Sequence, residues 1–312
     1  MTGAEETAVG SGAPAGPRWP TKSEHARWRR AELFAYPGIG LAVARANAGK
    51  PRGIVEETLR YSGDIDQRIV LVRPADAGGV RGLAVFVHGG SWKSGSPERY
   101  RFVGRWFAKR GYVTGVVGYR HVPEHVFPAQ LADVLCAWAL LREIAPRFGA
   151  PAEGAIIAGQ SAGAHLAALA VYGASARVAA GIPDEATRAV ALVSGPLDLG
   201  MLCPRKEFCP LIGELMGGDA GWNVADPALQ VGAGDTWPLL VVHGAKDPLV
   251  NVAGSVSFAD KVRDQGAPVT LDVVPAGHHV DLVRTFVDGD PASRPLEDFV
   301  AGSATSRPAT VA

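Results

Sequence analysis

The run Ala155-Ile156-Ile157-Ala158-Gly159-Gln160-Ser161-Ala162-Gly163-Ala164-His165-Leu166 constrains this chain more than any other stretch. Apolar residues that read as a buried strand meet Gly-Gln-Ser-Ala-Gly, and small apolar residues with helical character continue to Val171. This is the pattern G-x-S-x-G in a strand–turn–helix setting. The turn must be sharp enough to lift the Ser161 hydroxyl above the sheet edge. A side chain at Gly159 or Gly163 would collide where strand and helix approach each other, so both glycines are demanded. The first helical turn leaves free N–H groups beside Ser161, suited to a developing anion. A bare G-x-S-x-G often arises by chance as a Gly/Ser loop in an ordinary βα unit. The strand before it and the helix after it make Ser161 the candidate nucleophile.

The rest of the chain repeats this texture. Strands are expected at Leu83–Val87, Tyr112–Val117, Ala155–Ala158, Ala189–Val193, Leu239–Val242 and Val269–Val274. Helices are expected at Arg99–Lys109, at Ala129–Glu143, after Ser161, at Val252–Val262 and over 292–300. In Ala129–Glu143, Leu131, Val134, Leu135, Trp138 and Leu141 fall on one side. Such alternation implies right-handed βαβ crossovers and an α/β fold, with a mostly parallel central sheet and helices on both faces. Two earlier strands, Glu57–Tyr61 and Arg68–Val72, suggest an antiparallel hairpin at one sheet edge. Residues 1–20 read as a disordered tail, and 21–54 as a helical arm that is either a packed extension or a lid. The folded domain covers 55–300, with 196–237 interrupting the alternation as a small cap insert, and 301–312 reads as a frayed tail.

Lys+Arg and Asp+Glu balance at 31 each, which offers nothing to nucleic acid or to an anionic membrane. The cysteines are Cys136, Cys203 and Cys209, too few for a disulfide framework. Cys136 lies in an apolar helical pattern and reads as a buried thiol; Cys203 and Cys209 read as free rather than paired. Met1-Thr2-Gly3-Ala4-Glu5-Glu6 has neither the basic nor the apolar region of a secretory signal, and no run approaches the roughly 18 apolar residues of a membrane span. The expectation is a soluble, cytoplasmic chain. Nothing in the sequence sets an oligomeric state.

In parallel α/β sheets the chemistry lies beyond the carboxyl ends of the strands. A serine needs a base, and the base needs an orienting acid. Asp247 follows the Leu239–Val242 strand in His243-Gly244-Ala245-Lys246-Asp247-Pro248 and is the candidate acid; Asp235, Asp272 and Asp281 fit that position less well. If the chain order is serine, acid, histidine, the base is His278 or His279, which follow the Val269–Val274 strand. The loop Val87-His88-Gly89-Gly90-Ser91-Trp92 ends the first long strand, and there the N–H groups of Gly90 and Ser91, with that of Ala162, are the expected oxyanion donors. His88 reads as a structural ring tying down the loop. Trp92, Phe127 and residues from 200–237 are the expected walls of the substrate pocket. His121-Val122-Pro123-Glu124-His125 matches H-x-x-E-H, but Pro123 disfavours the helix that a zinc site of this kind requires, so no metal is expected. His165 and His243 read as hydrogen-bonded packing histidines.

These segments resemble the α/β-hydrolase superfamily over roughly residues 55–300. Tyr119-Arg120-His121-Val122-Pro123-Glu124-His125-Val126-Phe127-Pro128-Ala129 with His88-Gly89-Gly90 is similar to the hormone-sensitive-lipase-type carboxylesterases, with Ser91 in place of their third glycine. Gly159-Gln160-Ser161-Ala162-Gly163-Ala164-His165-Leu166, His88-Gly89-Gly90-Ser91-Trp92 and Ser194-Gly195-Pro196-Leu197-Asp198-Leu199 resemble the kynurenine formamidase (arylformamidase) branch. That branch tends to carry its base in an Asn/Asp-His-Phe-Asp/Glu pattern. Here His278-His279-Val280-Asp281 aligns with His279 as the base, His278 replacing Asn/Asp and Val280 the aromatic. The resemblance implies a serine hydrolase without metal or organic cofactor, cleaving a small carboxylic ester or aryl formamide through an acyl-enzyme. A ligand-binding protein on the same scaffold, or a peptidase or thioesterase, is the contrasting reading.

Overall fold

The computed structural model describes residues 23, 27, 38–202, 210–218 and 221–303. Helical residues 38–47 form α1. The chain then runs β1 (Ile54–Arg60), β2 (Arg68–Pro74), β3 (Gly82–Val87), α2 (Arg101–Ala108), β4 (Tyr112–Val117), α3 (Ala129–Ile144), β5 (Ala155–Gln160), α4 (Ala162–Tyr172), α5 (Ala174–Ala179) and β6 (Thr187–Val193). It continues through α6 (Leu199–Leu202), α7 (Pro210–Met216), β7 (Leu239–Gly244), α8 (Val252–Asp264), β8 (Val269–Val274) and α9 (Arg294–Ser303). Strand order across the sheet is β1-β2-β4-β3-β5-β6-β7-β8. The β1–β2 hairpin forms one edge; it and the β2–β4 pair are antiparallel, and every later pair is parallel.

The central strands β3, β4, β5 and β7 are buried throughout, which is why they read as unbroken apolar runs rather than alternating ones. Successive side chains still face opposite ways. Leu83, Val85 and Val87 of β3 join the core under α3 and α4, whereas Ala84 and Phe86 join the core under α2 and α9. Several strands run further than the apolar pattern alone indicates. Gly159 and Gln160 continue the ladder opposite Leu192 and Val193, and His243 and Gly244 continue it opposite Val273 and Val274. The helix expected over Arg99–Lys109 divides into a 3-10 turn at Pro97–Tyr100 followed by α2, with Pro97 at the first position of the turn.

Cys136 corrects the sequence reading. It is exposed on α3, although its neighbours Leu135 and Ala137 are buried. It shares the solvent stripe with Ala132, one turn earlier. Cys203 and Cys209 lie outside the described residues, as do most of 1–37 and 304–312. Residues 121–125 form a turn and not a helix, with His121 facing Asp66 and His125 facing Asp64. No helix among the described residues is long and apolar enough to cross a membrane.

Two fully buried histidines couple this core to pH. His88 makes its ring contact with the Gly89 carbonyl at 2.9 Å and stacks on Tyr119, and His165 on α4 donates from Nε2 to the Ala225 carbonyl at 2.7 Å. Burial pushes both rings down to about 4, and His121 adds to the effect at His88. The unfolded chain protonates each ring near pH 6.5 while the folded chain resists until about 4. Stability that is fully present above pH 6.5 is therefore lost as pH falls towards 4, with a slope approaching about 2.7 kcal/mol per pH unit for two rings. In urea titrations the midpoint is expected to fall from pH 7 to pH 5, and His165→Gln is expected to flatten that dependence. A midpoint that holds or rises over this range would contradict the assignment.

Candidate active site

Ser161 sits between β5 and α4 with φ 56° and ψ −125°, a region that L-residues seldom occupy. The strain is held from both sides: its N–H donates to Val193 O at 2.8 Å, and its carbonyl accepts from the Ala164 and His165 N–H groups. A methyl group built on Gly159 would strike the Gly163 carbonyl, and one built on Gly163 would strike the Val87 carbonyl. The two glycines thus let β5, α4 and the end of β3 close on one another, leaving the serine at their junction.

Two loops deliver the other groups. The loop after β7 and the loop after β8 are stitched together, with Ala245 N–H donating to Val274 O and Lys246 N–H to Gly277 O. Gly244 lies so close to Gly277 that no side chain fits there. This pairing brings Asp247 to His279. The Ser161 Oγ lies 2.8 Å from His279 Nε2, and His279 Nδ1 lies 2.7 Å from Asp247 Oδ2. Asp247 is 4% exposed and His279 5%. The other carboxylate oxygen of Asp247 accepts the Leu249 and Val250 N–H groups, each at 2.8 Å. Burial by itself would raise the Asp247 carboxyl, but the facing His279 and His243 outweigh it and hold the group well below the usual carboxylate range. His278 is not part of this line. Its N–H donates to Asp281 Oδ1 at 2.9 Å and its ring faces the same carboxylate.

The loop after β3 doubles back beside the serine. Gly90, Ser91 and Trp92 all have positive φ, and the Gly90 carbonyl accepts from the Lys93 and Ser94 N–H groups. A side chain on Gly89 would strike Gln160 and crowd Ser161. Among the described residues, the N–H groups of Gly90, Ser91 and Ala162 have no hydrogen-bond acceptor. His88 anchors the loop from beneath, and Tyr119 donates from its hydroxyl to the His88 carbonyl at 3.0 Å.

Ser161 and His279 open onto a cavity of about 350 Å³, walled by Ile39 and Val43 of α1 and by Tyr100, Phe102, Gln160 and Leu249, among others. Trp92 and Phe127 are not among its walls, which corrects the expected pocket. Trp92 is 2% exposed, turned by its own positive φ to pack edge-on against His165, and Phe127 is buried in the core with its N–H on Leu215 O. The arm, by contrast, does reach the site. Asn47 accepts from Phe102 N–H and donates to Arg99 O, and the Arg105 guanidinium donates to the carbonyls of Ala46, Ala48 and Gly49 at the end of α1. No described residue of 196–237 lines this cavity. Gln160 and Val280 adjoin the serine and the base in the chain, and Leu249 lies two residues after the acid, so the motifs could have pointed to them; Ile39 and Val43 carry no such signal. Among the described residues no three His, Cys, Asp or Glu side chains converge as metal ligands.

The family model described as BD-FAE matches residues 71–262. The chain belongs to this family. The match spans β2 to α8 and so contains the serine turn, the glycine loop and Asp247. Esterase LipQ of Mycobacterium tuberculosis is 30% identical over 242 residues, 73% of this chain and 57% of that protein. An isoprenylcysteine alpha-carbonyl methylesterase of Arabidopsis thaliana is 24% identical over 243 residues, again 73% of this chain and 57% of the relative. This BD-FAE member therefore spans little more than half the length of those two curated relatives. Among solved structures, esterase B from Lactobacillus Rhamnosis superposes with a TM-score of 0.70 at 22% identity, covering 91% of this chain and 97% of that one. At that identity the likeness establishes the fold, an α/β-hydrolase, as the resemblance of the sequence motifs led one to expect.

Proposed function

We propose that this chain is a serine carboxylesterase that works through an acyl-enzyme. The observation that carries the proposal is the continuous line from Ser161 Oγ through His279 to Asp247, with contacts of 2.8 and 2.7 Å, opening onto the cavity. His279 Nδ1–H donates to Asp247, so Nε2 is the bare nitrogen facing the serine hydroxyl. As Ser161 Oγ bonds to the ester carbonyl carbon, its proton passes to His279 Nε2 and the carbonyl electrons move onto oxygen. The N–H groups of Gly90, Ser91 and Ala162 then donate to that oxyanion. Collapse breaks the bond to the alcohol oxygen, which takes the proton from His279. Water repeats the cycle on the acyl-Ser161, releasing the acid and restoring the serine.

The esterase relatives favour an ester over an aryl formamide. The walls agree: Ile39, Val43, Phe102, Leu249 and Val283 give an apolar slot that a formyl group would leave empty. The test is kcat/KM for a short-chain p-nitrophenyl ester against N-formylkynurenine. The ester is expected to lead by about a hundredfold, roughly 2.7 kcal/mol of differential transition-state binding. A reversed preference would make the chain an arylformamidase. Turnover of neither would favour a ligand-binding role.

A further inference from the structure

A second histidine, fully buried at the end of β7, meets the same oxygen as the base. His243 Nε2 lies 3.2 Å from Asp247 Oδ2, the atom that also holds His279 Nδ1 at 2.7 Å. The same Nε2 lies 3.0 Å from the Val250 carbonyl, and His243 Nδ1 lies 2.7 Å from the hydroxyl of Ser255, a fully buried residue of α8. A carbonyl only accepts, so the neutral ring carries its proton on Nε2 and presents a bare Nδ1 to the Ser255 hydroxyl. Its Nε2–H is shared between Val250 O and Asp247 Oδ2. Packing alone needs no ring in that position, since an apolar side chain of similar size would fill the space without a fixed tautomer.

Resting on the reading of Ser161, His279 and Asp247 as a working unit, we infer that His243 is a positioning residue for the acid, its tautomer set by the Val250 carbonyl and its Nδ1 satisfied by the Ser255 hydroxyl. Two effects follow from one N–H. It fixes the carboxylate plane together with the Leu249 and Val250 N–H groups, which occupy the other oxygen. It also draws charge from Oδ2, so His279 is a weaker base than it would be beside an unshared carboxylate. The groups facing the His243 ring are Asp247, Ser255 and the Val250 carbonyl. His279 stands next beyond Asp247, and Asp281 is near enough to feel the Asp247 charge.

The inference is tested by the pH profile of kcat/KM and by proton NMR of the ring N–H groups in the full chain. In His243→Phe the acid limb is expected to move to higher pH by about one unit, the tenfold change in basicity that one pKa unit represents, and kcat is expected to fall about tenfold with KM within about twofold. An acid limb that stays in place in a folded variant would reduce His243 to packing and overturn the inference. Should that variant fail to fold, the wild-type protein decides. Because both protons lie on one oxygen, the His243 Nε2–H resonance is expected to titrate with the midpoint of His279. A His243 resonance that stays fixed while His279 titrates would overturn the inference. Failure of the underlying reading looks different: wild-type protein with no ester turnover, whatever the resonances do.

Discussion

Replacing Ser161 by alanine is expected to lower kcat on p-nitrophenyl esters by a factor on the order of 10⁶, the scale on which serine, histidine and acid act as one unit. The fold is expected to survive. The serine side chain donates nothing to the core; the N–H and carbonyl of residue 161 make the structural contacts, and alanine retains both. KM is expected to change little, because the walls of the cavity remain. Residue 161 is held at φ 56°, so Ser161→Gly removes backbone strain together with the nucleophile. That variant is expected to be as inactive as Ser161→Ala and to melt above it. A Ser161→Ala protein retaining a tenth of wild-type kcat would place the nucleophile elsewhere.

Asp247→Asn is expected to cost about 10⁴-fold in kcat/KM through the tautomer of His279. Asparagine can still accept the Leu249 and Val250 N–H groups through its carbonyl oxygen, so the loop after β7 keeps its shape. Its amide NH₂ then faces His279 Nδ1. Two donors cannot share that contact, so the ring moves its proton to Nε2 and points it at Ser161. A protonated Nε2 cannot accept the serine proton. The same NH₂ also confronts His243 Nε2–H, which makes this substitution harsher than the loss of one charge. The check is steady-state kinetics beside an unchanged circular dichroism spectrum. A loss of less than tenfold would mean that Asp247 does not orient the base.

The serine turn was legible because its demands are local. The strand, both glycines and the helix N-terminus lie within one short run, and their steric reasons can be stated without knowing the rest of the fold. Asp247 and the His278/His279 pair were legible by position, since each follows a strand whose carboxyl end faces the site. From sequence, only a resemblance separates the two histidines, because neighbouring loop residues point apart and the turn after Gly277 is what directs one ring to Asp247. The pocket walls were not legible. Trp92 is large, apolar and beside the glycine loop, but the positive φ values of the loop aim it into the core. Ile39 and Val43 reach the cavity from a helix far upstream, held there by Arg105 and Asn47, and nothing local in either segment announces that pairing. Cys136 failed by a single helical step, since neighbouring helix positions differ by about 100° in direction. His243 reads as a packing residue in the sequence, which places it at a strand end without showing which atom of Asp247 it meets.

An esterase of the kind proposed requires Ser161 to be an activated nucleophile. The most direct measurement is intact-protein mass spectrometry after treatment with a fluorophosphonate, followed by peptide mapping. One adduct per chain is expected, located on Ser161, formed slowly or not at all in Asp247→Asn and absent from Ser161→Ala. An unlabelled wild-type protein, or an adduct on another residue, would contradict it.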